Sequence, residues 1–327
     1  MTHPDYYDKF KCIADKCVHN CCRGGWEIEI DDEALDRFSK LPGEFGDKVR
    51  ASISPENIFI HKHGECPLLS PEGKCEMVLN GAELCVICDE YPRFTEFFGD
   101  YAERGISLSC EASADIILHK KDKSEIIFDT AADCDEPIFV LLKKARDDIF
   151  AILQDRDTDI FKRMRLALDY GRHLQDRINE NNFKSFEYTP SDTFSNHRSL
   201  SEIIPVFKEL SILNKEWAAM LEKLEADEQS RLRHTLDPII GEQLAVYFVY
   251  RYLLKAAFDC DAFAKLKFSF LSVMMIAALA NSFGNIEECA RLYSVEIEHS
   301  EENIDIIYDE FLFNDAFYHN NFINIIS

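Results

Sequence analysis

Nine of the twelve cysteines in this 327-residue chain lie between residues 12 and 110, and two of them, Cys21 and Cys22, are adjacent. Such crowding constrains the fold, because neighbouring cysteines do not readily bridge each other, whereas thiols gathered from several loops can serve one metal centre. The set is Cys12, Cys17, Cys21, Cys22, Cys66, Cys75, Cys85, Cys88 and Cys110, with Cys134 just beyond. Cys260 and Cys289 stand apart and read as ordinary buried thiols. The N-terminal stretch is charged throughout and has no apolar run of seven, so no conventional secretory signal is expected there and the expected location is cytoplasmic. Thiols stay reduced in that compartment, which favours a metal over a disulfide scaffold.

The spacing of turn residues divides the chain. Up to about residue 118, glycine and proline punctuate short pieces, as in HKHGECPLLSPEGKC and NGAELC, which predicts irregular structure wrapped around a centre. Within it, WEIEID at 26–31 alternates as a short strand, and 31–39 reads as a helix capped by Asp31 or Asp32 with Ala34, Leu35 and Phe38 inward. Residues 106–120 read as a strand leading into a helix, with Cys110 at the junction. From Pro137 the apolar period lengthens to about 3.6 residues. Helices are expected at 138–155, 159–180, 200–228, 238–259, 262–282, 285–299 and 301–316. The thirteen-residue run FSFLSVMMIAALA is short of the roughly 20 residues that cross a bilayer and predicts a buried core helix. The expected fold class is therefore mainly α: a cysteine-rich irregular region with short strands around a metal cluster, 1–136, followed by a multi-helix body, 137–327, with room for a substrate or donor pocket.

A net charge of −24 argues against nucleic acid, whose phosphates need lysine and arginine stripes. It suits a basic, lysine-rich protein partner, and no membrane partner is expected. Residues 287–310 hold nine carboxylates and one arginine, which reads as a solvated helix face.

Thiolate sulfur is soft and selects zinc or an iron–sulfur cluster over hard cations. Only Cys85 and Cys88 have zinc-knuckle spacing, whereas a cluster collects ligands from separated loops and suits Cys17, Cys21 or Cys22, Cys66, Cys75 and Cys88 better. A 4Fe-4S cluster is the expectation, with zinc as the alternative. His19, His61 and His63 read as exposed loop histidines. The metalloprotease and nucleophile-elbow motifs are absent from the sequence.

Several motifs occur in order: Phe10-Lys11-Cys12, Cys17, Cys21-Cys22-Arg23-Gly24-Gly25-Trp26, Ile28-Glu29-Ile30-Asp31, Cys66-Pro67-Leu68-Leu69, Gly73 and Cys75, Leu84-Cys85, Cys88, Tyr91-Pro92-Arg93, and Leu108-Ser109-Cys110. Together they resemble the flagellin lysine-N-methylase family over about residues 6–118, with a weaker likeness in the aromatic run before Arg251. Part of the pattern is similar to the broader group of zinc- or iron-chelating cysteine-cluster proteins. The chain departs from the methylase pattern at Glu111, where a proline is expected. The resemblance implies an iron–sulfur enzyme, a protein-lysine N-methyltransferase that moves a methyl group from S-adenosylmethionine to flagellin lysines.

Such transfer needs a neutral amine and an in-line sulfonium donor. No Gly-x-Gly occurs, so the donor would bind outside a glycine-rich nucleotide site. Tyr247 and Tyr250 are the expected catalytic side chains, and Arg93 and Arg251 the expected cofactor-binding ones. Glu242 reads as a solvated first-turn carboxylate. The rival readings are a redox or iron-sensing binding module and a metal-stapled scaffold.

Overall fold

A computed structural model describes residues 1–24, 27–128, 134–190, 199–228 and 235–326. The core is set by the helix Ala262–Phe283, which is apolar on every side and buried along nearly its whole length. A helix of that kind must be surrounded. Pro238–Tyr252, Ile160–Asn179, Ile286–Tyr293 and Lys215–Glu228 pack around it, and Pro137–Leu153 packs on Ile160–Asn179. By length and composition this helix could cross a membrane, but 94% of its most apolar window is buried inside the protein.

The helix starts follow local chemistry. Asp159, Asp237, Asp261, Asn285 and Ser300 each accept backbone N–H bonds at an N-terminus, satisfying donors that the first turn leaves open. Gly284, with φ at +86°, stops the core helix in the left-handed region that only glycine enters freely.

Several helical expectations are met with shifted ends, and one is not. The segment expected as one helix over 200–228 is broken into Leu200–Glu202, Ile204–Glu209 and Lys215–Glu228. The break is held from outside: Ser211 N donates to Asn303 Oδ1 at 2.9 Å and Leu213 N to Glu296 Oε2 at 2.9 Å. That contact also corrects the reading of the acidic stretch as a solvated face at two positions, since Glu296 and Glu298 are buried, while Glu301, Glu302, Asp305 and Asp309 are exposed as expected. Glu242, also read as solvated, is fully buried between Arg156 and Arg163, at 2.8 and 3.0 Å.

The N-terminal region is small and irregular. Its longest strands, Arg93–Phe98 and Tyr101–Ile106, form an antiparallel hairpin turned at Gly99, whose φ is +63°. His3–Pro4 pairs with Ile126–Ile127. Of the strand expected at 26–31, Trp26 lies outside the described residues and only a single bridge, Glu29 with Ile58, forms. Asp31 does cap the helix Asp32–Ser39, accepting from Ala34 N at 2.9 Å. Gly43–Ala51 is a further helix that the sequence pattern did not announce.

Two apolar clusters result. A small one joins Ile30, Ala34, Phe38, Val49, Phe59 and Leu68. The large one fills the helical body and extends to Tyr6, Phe10, the hairpin and the helix Glu111–Leu118.

This architecture overturns the expectation of S-adenosylmethionine-dependent transfer to flagellin lysines. The chain is mainly helical, and the sheets among the described residues are two antiparallel pairs. Enzymes that use this donor typically hold it on the edge of a larger mixed β-sheet, and among the described residues there is none.

Candidate functional site: a cysteine-lined chamber

All nine clustered cysteines line one chamber of about 650 Å³. Four separate pieces of chain carry them there. The loop 11–24 brings Cys12, Cys17, Cys21 and Cys22. It is pinned to the second piece by Cys66 N donating to Cys22 O at 2.8 Å, while Asn20 caps Cys22 N at 2.9 Å and donates to Gly73 O at 3.3 Å. The second piece doubles back between Cys66 and Cys75 through the turn Ser70–Lys74, where Gly73 has a φ of +79°. The third is the short helix Val86–Glu90, with Cys85 at its cap and Cys88 within it. Asp31 Oδ2 accepts from Val86 N at 2.8 Å, tying that helix to Asp32–Ser39. Cys110, at the start of Glu111–Leu118, is the fourth; the helix follows it as expected, but the strand before it ends at Ile106 and a turn intervenes.

Glu111, visible in the sequence only as a departure from a pattern, organises the loop. Its Oε2 accepts from Cys17 Sγ at 3.3 Å, Val18 N at 2.9 Å and His19 N at 3.3 Å. Burial alone would raise its carboxyl pKa. The hydrogen bonds from His19 N, Cys17 and Val18 outweigh it and hold the group below the ordinary range. His19 Nε2 then pairs with Glu288 Oε2 at 3.0 Å, and Arg291 with Glu288 at 2.6 Å. The loop is thus clasped to the helical body by two carboxylates.

The thiols sense one another. Cys21 is lowered by a hydrogen bond from Cys22, and Cys22 is raised by that bond, by burial and by the charges of Cys21, Cys66 and Cys75. Cys85 is lowered by its hydrogen bond with Cys88, and Cys88 is raised by the same bond, by burial and by Cys85, Cys22 and Cys66. Burial and Glu111 push Cys17 up to about 12. Cys110 is raised by burial, with Cys21 and Cys12 adding to it. Cys22, Cys66, Cys75, Cys85 and Cys88 therefore form an inner set, and Cys12, Cys17 and Cys110 sit towards the Glu111 side.

Other expected site residues are placed as follows. Arg93 lines the chamber, its guanidinium 5.0 Å from the Phe10 ring centroid. Tyr247, Tyr250 and Arg251 are outside its wall. Tyr247 and Tyr250 are core side chains, 1% and 4% exposed. Tyr247 donates to Glu298 Oε2 at 2.9 Å, and Tyr250 donates to Arg104 O at 2.9 Å. Arg251 Nη1 donates to Tyr247 Oη at 3.0 Å. His19 lines the chamber, but His61 and His63 do not. Cys289 is buried as expected, whereas Cys260 is exposed in a left-handed conformation, φ +61°.

The 4Fe-4S expectation also requires correction. Every described cysteine is a free thiol, and among the described residues no group of three or more His, Cys, Asp or Glu side chains is disposed to hold a metal ion as it stands. Cys21 pairs with Cys22, Cys85 with Cys88 and Cys17 with Glu111, so these thiols do not close on a common point. No family model, curated protein or solved structure matches this chain.

Proposed function

We propose that the chain is a metal-binding module whose chamber takes up a thiophilic ion, with zinc as the ion and thiolates of the inner cysteine set as its ligands. The observation that carries this reading is the delivery of nine thiols from four separate chain segments to one cavity. Nine of twelve cysteines would not converge there for packing alone, since a core needs no such excess. The donor set fits the ion: soft sulfur, Cys85 and Cys88 at knuckle spacing, and Cys22, Cys66 and Cys75 close enough for their charges to act on one another. Metal sites are rarely preformed without the metal, and binding displaces thiol protons and draws ligands together.

The test is to purify the chain with thiols reduced, measure zinc, iron and acid-labile sulfide, and titrate zinc against a chromophoric chelator. Tight zinc uptake that is lost on Cys66→Ser and Cys88→Ser is expected. A folded, fully reduced chain that binds no zinc, or one isolated with stoichiometric iron and sulfide, would overturn the proposal.

A further inference from the structure

The thiols outside the inner set are grouped as well, and around a carboxylate. Cys12, Cys17 and Cys110 line the chamber together with Glu111. Cys17 Sγ donates to Glu111 Oε2 at 3.3 Å. A charge on Cys110 acts on Cys17, and one on Cys12 acts on Cys110. A structural zinc ion takes four ligands, which the inner set more than supplies, so these three thiols are left over. Packing gives them no task. A cysteine that fills a core is buried, as Cys289 is at 1% exposure, whereas Cys12 is exposed and Cys17 and Cys110 are half-buried. Nor does the clasp of the loop need sulfur at position 17, because the amides of Val18 and His19 already reach Glu111 at 2.9 and 3.3 Å and a thiol is a weak donor.

Cys17 and Glu111 stand as a two-point bite. With bonds of about 2.3 Å to sulfur and about 2.0 Å to oxygen, their 3.3 Å separation subtends about 100° at a zinc ion, close to the tetrahedral angle. An ion there takes the place of the Cys17 proton. The carboxylate is oriented beforehand by the Val18 and His19 amides, the outer support that metal-binding side chains ordinarily have. Cys110 precedes Glu111 in the chain, and the amides of Ser113 and Ala112 in the first turn of Glu111–Leu118 favour its thiolate. The four groups do not meet at a point without the metal, and zinc draws its ligands together as it binds.

We propose that the chamber takes a second zinc ion, held by Cys12, Cys17, Cys110 and Glu111. This site goes beyond the zinc reading of the inner set and shares no ligand with it. A carboxylate in place of a thiolate, and the exposure of Cys12, make it the weaker and more readily exchanged of the two.

The reduced, metal-free, full-length protein is titrated with cobalt(II), whose sulfur-to-metal absorption marks thiolate sites, and then with zinc against a chromophoric chelator. Wild type is expected to take up two ions per chain, and Cys12→Ser and Cys110→Ser only one. Cys110 is outside the clasp, so its variant separates the loss of a ligand from a loosening of the loop. Glu111→Gln is expected to weaken the second ion at least roughly tenfold, a loss that even an indirect partner of a metal causes. Cys66→Ser/Cys88→Ser disables the inner set and is expected to keep one ion, which adding Cys17→Ser removes. Two ions in Cys110→Ser, or a second ion held as tightly in Glu111→Gln as in wild type, overturns the proposal. A single wild-type ion that Cys66→Ser/Cys88→Ser abolishes also overturns it and leaves the inner site standing. A single ion that survives this double variant and is lost in Cys110→Ser supports the outer site and overturns the inner one, and no ion in wild type overturns both. Should Cys66→Ser/Cys88→Ser not fold, the count of two ions in wild type against one in Cys110→Ser decides.

Discussion

Replacing Lys267 by Met is expected to stabilise the protein at neutral pH and to destabilise it at high pH. Lys267 is 6% exposed on the core helix Ala262–Phe283. Its Nζ donates to Phe311 O at 3.2 Å and lies 4.8 Å from the Phe311 ring and 5.1 Å from that of Phe263. Burial pushes its pKa from the ordinary 10.5 down to about 8, against a smaller upward pull from Asp261. Each pH unit of depression is worth about 1.4 kcal/mol, so holding the amine charged in the fold costs about 3 kcal/mol. Methionine removes that cost but forfeits the bond to Phe311 O, worth about 1 kcal/mol, for a net gain of about 2 kcal/mol at pH 7. Below pH 8 both states are protonated and the full cost applies. Between 8 and 10.5 the folded chain has released the proton and the unfolded chain retains it, so wild-type stability rises relative to the variant. Above 10.5 neither carries it, and the variant is the less stable by about 1 kcal/mol. Urea unfolding of both proteins from pH 7 to 11 at constant ionic strength reads this as a difference, in which the tyrosines and cysteines cancel. A stability difference that does not change with pH, or a variant less stable at pH 7, would refute the reasoning.

Two shorter predictions concern how the chamber is mounted. Glu103 holds Arg146 through a buried pair at 2.6 and 2.8 Å and accepts from Tyr101 at 2.6 Å. Glu103→Ala leaves a buried guanidinium without its counter-charge and is expected to lower unfolding free energy by about 3–5 kcal/mol, whereas Glu103→Leu with Arg146→Met restores most of it; denaturant melts of both variants check this. Glu111→Gln removes the anionic clasp on the loop 11–24, so the amides of Val18 and His19 should exchange with solvent faster and Cys17 should alkylate faster. Unchanged exchange at both amides would show that the loop is held by other contacts.

How much of this was legible in the sequence depended on whether a residue's partner lay nearby. The core helix, the Asp31 cap and the helix start just after Cys110 could be read, because local period and capping chemistry determine them. The hairpin Arg93–Ile106 could not, since its buried Glu103, which accepts from Tyr101, is satisfied by the remote Arg146 and breaks any apolar alternation. Glu242 looked solvated because Arg156 and Arg163, which bury it, come from about 80 residues away. The break at Leu210–Asn214 is set by Asn303 and Glu296 in the same remote manner. Convergence of the cysteines was foreshadowed by their crowding, but Glu111 carried no signal beyond being unexpected. The methyl-transfer expectation came from motif likeness in the cysteine-rich third, and nothing in the helical periodicity pointed to a donor-binding sheet.

The two walls of the chamber belong to different apolar cores. Cys66, Cys75, Cys85 and Cys88 pack with the small cluster, Cys110 packs against the large one, and the clasped loop bridges them. A guest held by the inner set fastens the loop to the small cluster, which supplies four of its thiols, and the clasp of that loop through Glu111 and Glu288 carries the tie on to the large core. Occupancy would then be read most sensitively in whether the two cores come apart together or in sequence.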